Sequence, residues 1–422
     1  MRNVMSSIKK NKLVSVAWLI YYSLFGFFAI FMFEIFGPEK KPTIIRLSPD
    51  VYGEYDPKLG IRYAPDTSIS LSYLQDNGVV VECLQNISKT NSDGFRGIDT
   101  INEYESASPK IVVTGDSFSH WNNDGLTIVD LTKAKLKKSY SSISLINLAG
   151  GTFGLKHMFA NISEFVKQDD KLRPDLVLIQ FIKDDITRDW WVTNAFQDET
   201  GIIRARLANT EQCLKLDSNC GADEYIVNDR ATHAWCTTLK DSQQPDELSR
   251  EIIKDYSHIM GRSNKPILDW DSKTVDIAIR ILRKLNVPLF GQQVVIPRIS
   301  SLDDVNFQSM LAPIKELQAS GTQVMMVFLP IRDEIEKQNF NLTKLEEDIL
   351  KNIENNLEIN IHKPSSFDVF RGIDEFAISP YDGHPSVELQ NAYSTYIAER
   401  VTKELKGRYN SKGKTVLQAD ID

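Results

Sequence analysis

The stretch Ile111 to Trp121, IVVTGDSFSHW, decides the fold. Four apolar or β-branched residues, Ile111 to Thr114, run into Gly115, Asp116 and Ser117. A continuous apolar run of strand length reads as a strand covered on both faces, as in a parallel sheet. Further runs of the same kind are SLINLAG (144–150), DLVLIQFI (175–182) and TQVMMVFLP (322–330), and a short strand is expected near 358–362. Helical stretches intervene at 124–138, 155–168, 304–319 and 343–356, and SVELQNAYSTYIAERVTKELK (386–406) forms the last helix. This alternation predicts a doubly wound α/β sheet.

Around that core, 1–12 reads as a short cytoplasmic N-terminus and 13–36 as a transmembrane anchor. Residues 43–108 read as a β-rich extension with YDPKLGIRYAPD and TNSDGFRG as turn-rich landmarks. The core is divided into 109–189 and 296–406 by an insertion or cap at 190–295, and 407–422 reads as a polar tail. An insertion this long between two core strands is usually a cap or lid. It contains Trp190, Trp191, Trp235 and Trp270 and a helical pattern at 272–285, so a helical insertion is expected.

The anchor rests on Leu13 to Phe33, 21 residues without a charge. A bilayer core needs about 20 helical residues. Arg2, Lys9, Lys10 and Lys12 precede the segment, and Glu34, Glu39, Lys40 and Lys41 follow it. The positive-inside rule keeps the N-terminus in the cytoplasm and sends the rest across. The apolar run exceeds a signal-peptide h-region of about 7–15 residues, so an uncleaved anchor is expected. The catalytic domain is then periplasmic or extracellular, and the membrane is a partner through this helix.

The net charge of −8 argues against nucleic acid as a partner, because phosphate binding needs a basic face. Cys83, Cys213, Cys220 and Cys236 allow three full disulfide pairings outside the cytoplasm, and the sequence does not choose among them. A zinc site from Cys213, Cys220, His233 and Cys236 has too wide a first gap. No metal and no cofactor are expected.

Ligands of open parallel sheets bind outside the carboxyl ends of the strands. Gly115, Asp116 and Ser117 follow the first run. Asn147, Gly150 and Gly151 follow the second, and Lys183, Asp184 and Asp185 the third. YDGHPS places Asp382 and His384 just before the last helix. A serine, a glycine loop and an Asp–His pair supply a nucleophile, oxyanion donors, an orienter and a base, the inventory for acyl transfer. Gly115 permits a tight exit from the strand. Ser117 then stands near a helix start, where N–H groups and the dipole favour negative charge. His384 takes the serine proton, and Asp382 fixes the imidazole tautomer.

In these segments the chain resembles the SGNH/GDSL hydrolases. GDSFS, NLAGGTFG, IKDDI and DGHP are similar to that family's four blocks in order, and the two upstream landmarks are similar to a preface found in membrane-anchored members. The resemblance covers roughly 53–190 and 320–405. It implies a flavodoxin-like three-layer α/β/α fold and metal-independent ester chemistry. Carried over, Ser117 is the nucleophile and contributes its own N–H to the oxyanion hole. Gly151 gives a second N–H, His384 is the base and Asp382 its partner.

Three departures bear on activity. The third block's asparagine, an oxyanion donor in the family, is Asp184 here. An ionised carboxylate donates nothing. At about 4 Å it would repel an oxyanion by about 4 kcal/mol at an effective dielectric of about 20. Asp184 must be protonated, turned away, or partnered by a cation such as Lys183 or Arg188. The glycine loop is one residue short, which leaves Gly150 or Gly151 as donor. The acid stands two positions before the histidine where three is commoner.

Plainer roles stand beside these. Ser117 could cap its helix, and Asp382 with Gly383 could form a turn. His120 is a rival base. Trp190 and Trp191 could stack on a sugar or pack the cap onto the sheet. The sequons at Asn86, Asn161 and Asn341 matter only in a host that glycosylates exported chains. The expected function is a membrane-anchored serine ester hydrolase or O-acyltransferase for acyl, chiefly acetyl, esters of an extracytoplasmic glycan. The alternative is a catalytically impaired protein of the same fold that binds glycan or assists polysaccharide assembly.

Overall fold

A computed structural model describes the chain at residues 44–47, 53–56, 60–63, 65–75, 80–123, 125–151, 153–189, 191–197, 203–208, 224–228, 298–379 and 382–406. The expected anchor at 13–36, the helix at 272–285, Trp190, three of the cysteines and the tail 407–422 lie outside these residues. Among the described residues no helix is long and apolar enough to cross a membrane.

The extension carries β1 (Ile44–Leu47), β2 (Gly53–Asp56), β3 (Gly60–Tyr63), β4 (Ser68–Gln75) and β5 (Val80–Lys89). β2 and β3 form a hairpin, and β1, β4 and β5 an antiparallel sheet. Next come α1 (Ile101–Glu105), β6 (Lys110–Thr114), α2 (Ser117–His120) and the two-residue strands β7 (Asn122–Asn123) and β8 (Leu126–Thr127). They are followed by α3 (Ile128–Leu136), β9 (Ser144–Asn147), α4 (Leu155–Val166), β10 (Leu176–Phe181) and α5 (Lys183–Thr187). The described part of the insertion holds β11 (Trp191–Gln197), β12 (Ile203–Ala208) and β13 (Glu224–Asn228). The core resumes with α6 (Phe307–Ala319), β14 (Gln323–Phe328), α7 (Arg332–Lys337), α8 (Lys344–Leu357) and β15 (Ile361–His362). A small hairpin of β16 (Ala377–Ser379) and β17 (Asp382–Pro385) leads into α9 (Val387–Leu405).

The protein is of the α/β class. β15, β14, β10, β6 and β9 lie side by side in that order, every pairing parallel. Numbered along the chain, the order is 2-1-3-4-5. The register explains why the strands are apolar throughout. Val112 lies between Ile146 and Val177, and Val177 faces Val324 on its other side. That row packs beneath α4, α6 and α8, against residues such as Phe159, Leu311 and Ile353. The alternate residues Ile111, Val113, Leu176 and Leu178 pack against α3 and α9, including Val129, Tyr393 and Val401. Each such side chain stabilises by about 1.5–3 kcal/mol when fully buried.

The insertion differs from the helical expectation where it is described. β11, β12 and β13 form an antiparallel sheet. Its base is closed, because Arg188 bridges to Arg298 and the Ile299 N–H donates to the Thr187 carbonyl at 2.7 Å. Ends held together let the core tolerate a long excursion, since closure entropy grows slowly with loop length.

The landmark TNSDGFRG fastens the extension to the core. The Asn91 carboxamide oxygen accepts from the N–H groups of Asp93 and Phe95, both at 3.0 Å, and its amide donates to the Asp99 carbonyl at 2.6 Å. Asp99 is buried and accepts from Ser144 Oγ at 2.6 Å, from the Leu145 N–H at 2.8 Å and from Lys133 Nζ. Breaking a buried ion pair by removing one partner costs about 3–5 kcal/mol, because the other charge stays uncompensated. Asp99→Ala should therefore lower the unfolding free energy by about that amount in urea titrations. Asp170→Ala, which breaks a pair whose acid is 96% exposed, should leave the urea midpoint almost unmoved. Equal midpoints for the two variants would contradict the anchoring role of Asp99.

Candidate active site

Ser117 is the first residue of α2, at the carboxyl end of β6. β6 lies between β9 and β10, where the strand order reverses and ligands of such sheets bind. The turn is built by close contact. A Cβ on Gly115 would lie 2.3 Å from Ser119 Oγ and 2.8 Å from the Gln180 carbonyl oxygen, so only glycine fits. Ser119 Oγ donates to Gln180 Oε1 at 2.7 Å, and the Asn147 amide donates to the Ser119 carbonyl at 2.9 Å. The helix cap is Asp116, whose carboxylate accepts the Phe118 N–H at 2.9 Å. Ser117 Oγ, partly exposed, stands 3.5 Å from the other oxygen of that carboxylate. The helix is a single turn of four residues, so the macrodipole expected from the sequence is small and individual N–H groups must serve instead.

His384, in β17, packs against the same turn. Its ring stacks on Trp121 with centroids 3.8 Å apart and planes 2° from parallel, and lies 5.9 Å from the Phe118 ring. Gln390, buried in α9, ties the two segments together. Its amide reaches the carbonyls of Trp121 and Pro385, each at 3.4 Å. The structure thus brings the neighbourhoods of Ser117 and His384 together across more than 260 residues of chain. Asp382 opens β17 and pairs with Ser379. His120 closes α2.

Two fully buried carboxylates lie behind the turn. Asp185 accepts the Ile182 N–H at 3.0 Å and pairs with Arg188 at 2.6 Å. Burial raises its carboxyl well above the ordinary range, and repulsion from Asp116 adds to this. Burial likewise raises Asp116, while Arg188, the Phe118 N–H and His384 oppose the rise. One guanidinium thus stands between two acids that cannot both ionise readily.

Asp184 is turned away. Its carboxylate is 57% exposed, 3.3 Å from Arg298 and 3.9 Å from Arg188. Of the cations expected from the sequence Arg188 is present, whereas Lys183 pairs with Glu346 at 3.7 Å. Of the two glycines weighed as donors, Gly150 gives its N–H to the Gly115 carbonyl at 3.1 Å. The Gly151 N–H donates to the Tyr63 hydroxyl at 2.6 Å. Trp191 opens β11 opposite Ala208, and Trp190 lies outside the described residues. The Asn161 amide is engaged with the Leu148 carbonyl at 2.7 Å.

Sequence reasoning assigned no contact to Trp121, Gln390, Asp185 or Tyr63. Asp185 had a local signal, because an acid at the third helical position is a capping residue. Trp121, four residues after Ser117, had a weaker one. Gln390 and Tyr63 act through contacts across long stretches of chain. Among the described residues no group of three or more His, Cys, Asp or Glu is arranged to hold a metal ion. In comparisons with known proteins, no family model and no curated protein matches this chain.

His157, buried in α4 and stacked on Phe153 at 5.3 Å, gives a test of this interior. Burial, with Lys156 and Arg188 nearby, lowers its pKa from 6.5 to about 3. Between those values the unfolded chain binds a proton that the folded chain refuses, so this group's contribution to stability falls as pH falls from 6.5 towards 3. Asp116 and Asp185, with raised values, contribute in the opposite sense. In His157→Phe the slope of the unfolding free energy against pH should therefore shift in the negative direction in that window, by up to about 1.4 kcal/mol per unit. An unchanged slope in urea titrations across the window would contradict the assignment.

Proposed function

We propose that this chain is a membrane-anchored serine ester hydrolase or O-acyltransferase of the SGNH type, with Ser117 carrying the acyl group. The observation that carries the reading is the stacking of His384 on Trp121, against the turn that presents Ser117. The strand order 2-1-3-4-5 with helices on both faces supports a flavodoxin-like three-layer fold of that family. Placement of Ser117 at the reversal of strand order supports it further.

In the proposed reaction Ser117 Oγ attacks the ester carbonyl carbon while His384 takes the hydroxyl proton. The tetrahedral intermediate collapses, the C–O bond to the leaving alcohol breaks, and His384 returns the proton to that oxygen. Water or a sugar hydroxyl then attacks the acyl-enzyme, giving its proton to His384; the bond from the acyl carbon to Ser117 Oγ breaks and His384 returns the proton to that oxygen. Asp382 orients the imidazole and stabilises its cation. All atoms are accounted for by ester, acceptor and enzyme alone.

The substrate class follows from location and surroundings. A positive N-terminus before the apolar segment 13–33 supports a cytoplasmic start and a periplasmic or extracellular domain. A domain tethered there meets surface glycans, and Trp190 with Trp191 provides a pair suited to sugar faces. An acylated, chiefly acetylated, glycan is the substrate we assign. The alternative, an impaired glycan-binding protein, draws on Asp184 facing Arg298 in place of a donor.

Initial rates with 4-nitrophenyl acetate separate the two. Ser117→Ala and His384→Ala should each lose at least about 10³-fold, and the double variant should lose no more than either, because the pair acts as a unit. Wild-type rates in Ser117→Ala would end the enzyme reading in favour of binding. Appearance of acyl-sugar when a glycan acceptor is added would mark a transferase, and free acid alone a hydrolase.

A further inference from the structure

We infer that Tyr63 is the oxyanion donor in place of the missing third-block asparagine, an assignment that rests on Ser117 being the nucleophile. Tyr63 ends β3, in the extension, within the upstream landmark YDPKLGIRYAPD and outside the four family-like blocks. Three contacts place it. Its carbonyl oxygen passes so close to Gly94 that a Cβ there would meet it at 2.6 Å. The Arg96 guanidinium carbon lies 4.0 Å from its ring centroid, and Arg96 itself is buried with its N–H on the Asn147 carbonyl at 3.2 Å. The Gly151 N–H donates to its hydroxyl at 2.6 Å.

These contacts fix a phenol on the glycine loop. The same loop is bonded through the Gly150 N–H to Gly115, two residues before the nucleophile. The phenol oxygen already accepts a hydrogen bond and carries a cation over its ring. Both stabilise negative charge building on that oxygen, which strengthens the O–H as a donor. The Gly151 N–H would then act through the phenol. With Asp184 exposed beside Arg298, the hole keeps a second neutral donor and avoids an inward carboxylate. The turn-rich landmarks around Tyr63 and Arg96 acquire a chemical role, because they hold this hydroxyl in place.

The test uses the full-length protein in three forms, wild type, Tyr63→Phe and Ser117→Ala, with 4-nitrophenyl acetate as substrate and phenylboronic acid as inhibitor. The boronate's tetrahedral serine adduct places an oxygen in the hole. Tyr63→Phe keeps the ring beneath Arg96 and removes the hydroxyl, both as the donor and as the acceptor of the Gly151 N–H. Its kcat should fall about 10²–10³-fold with KM within about threefold, the loss seen when one oxyanion donor is removed. Boronate affinity should fall with kcat, a change that a purely structural role would not produce. If Tyr63→Phe retains or exceeds wild-type kcat while Ser117→Ala is inactive, Tyr63 is no donor. A gain would mark it as a plug on the Gly151 N–H. A loss of kcat with unchanged boronate affinity would also overturn the assignment. Activity in Ser117→Ala would overturn the nucleophile, and this inference with it.

Discussion

The close approach of α2 to the sheet is the constraint on which the rest of the site depends. Because Gly115 has no side chain, Ser119 reaches Gln180 in β10 and its carbonyl meets Asn147 in β9. One turn of helix is thus clamped across three neighbouring strands. The clamp decides where Ser117 stands, and it sets Trp121 four residues on as a flat surface for His384. A larger residue at 115 would displace the turn, and with it both reacting groups of the proposed mechanism.

Behind this turn the protein keeps charge in a place where charge is costly. Asp116, Asp185 and Arg188 are buried together, each with hydrogen bonds that limit the desolvation cost. Arg188 does more than neutralise. Its guanidinium also reaches the Phe153 carbonyl at 3.3 Å, and its backbone bridges to Arg298 at the base of the insertion. The turn after β10, the glycine loop and the insertion base therefore meet at one cation. The exposed Asp184 sits at the rim of the same network, shared between Arg188 and Arg298.

The parallel sheet was legible because strands buried on both faces are apolar almost throughout, Gln180 being held by Ser119. IVVT and LVLIQF announce themselves, and the structure has β6 and β10 there. The helix expected at 343–356 forms as Lys344–Leu357, where Thr343 and Glu346 supply a local capping box. The insertion was not, since WVTNAFQ and IRARLA are short and mixed in character, and among the described residues the strands they form pair only within the three-stranded sheet of β11, β12 and β13. At the candidate site, the serine, glycine and histidine stood out because the proposed ester chemistry would restrict the residue types. Tyr63 and Gln390 did not, because their contacts are created by chain segments brought together only on folding. The acid of DGHP is legible in sequence alone, whereas Asp185 shows that the second acid of IKDDI belongs to the interior and the first to the surface.

The central claim is that Ser117 becomes acylated with His384 as its base, and covalent labelling tests it most directly. The full-length protein would be treated with a fluorophosphonate and the adduct located by peptide mass spectrometry. The account predicts one adduct, on the peptide containing Ser117, and its loss in His384→Ala under the same conditions. Labelling at another residue, or none in a folded wild-type protein, would contradict it.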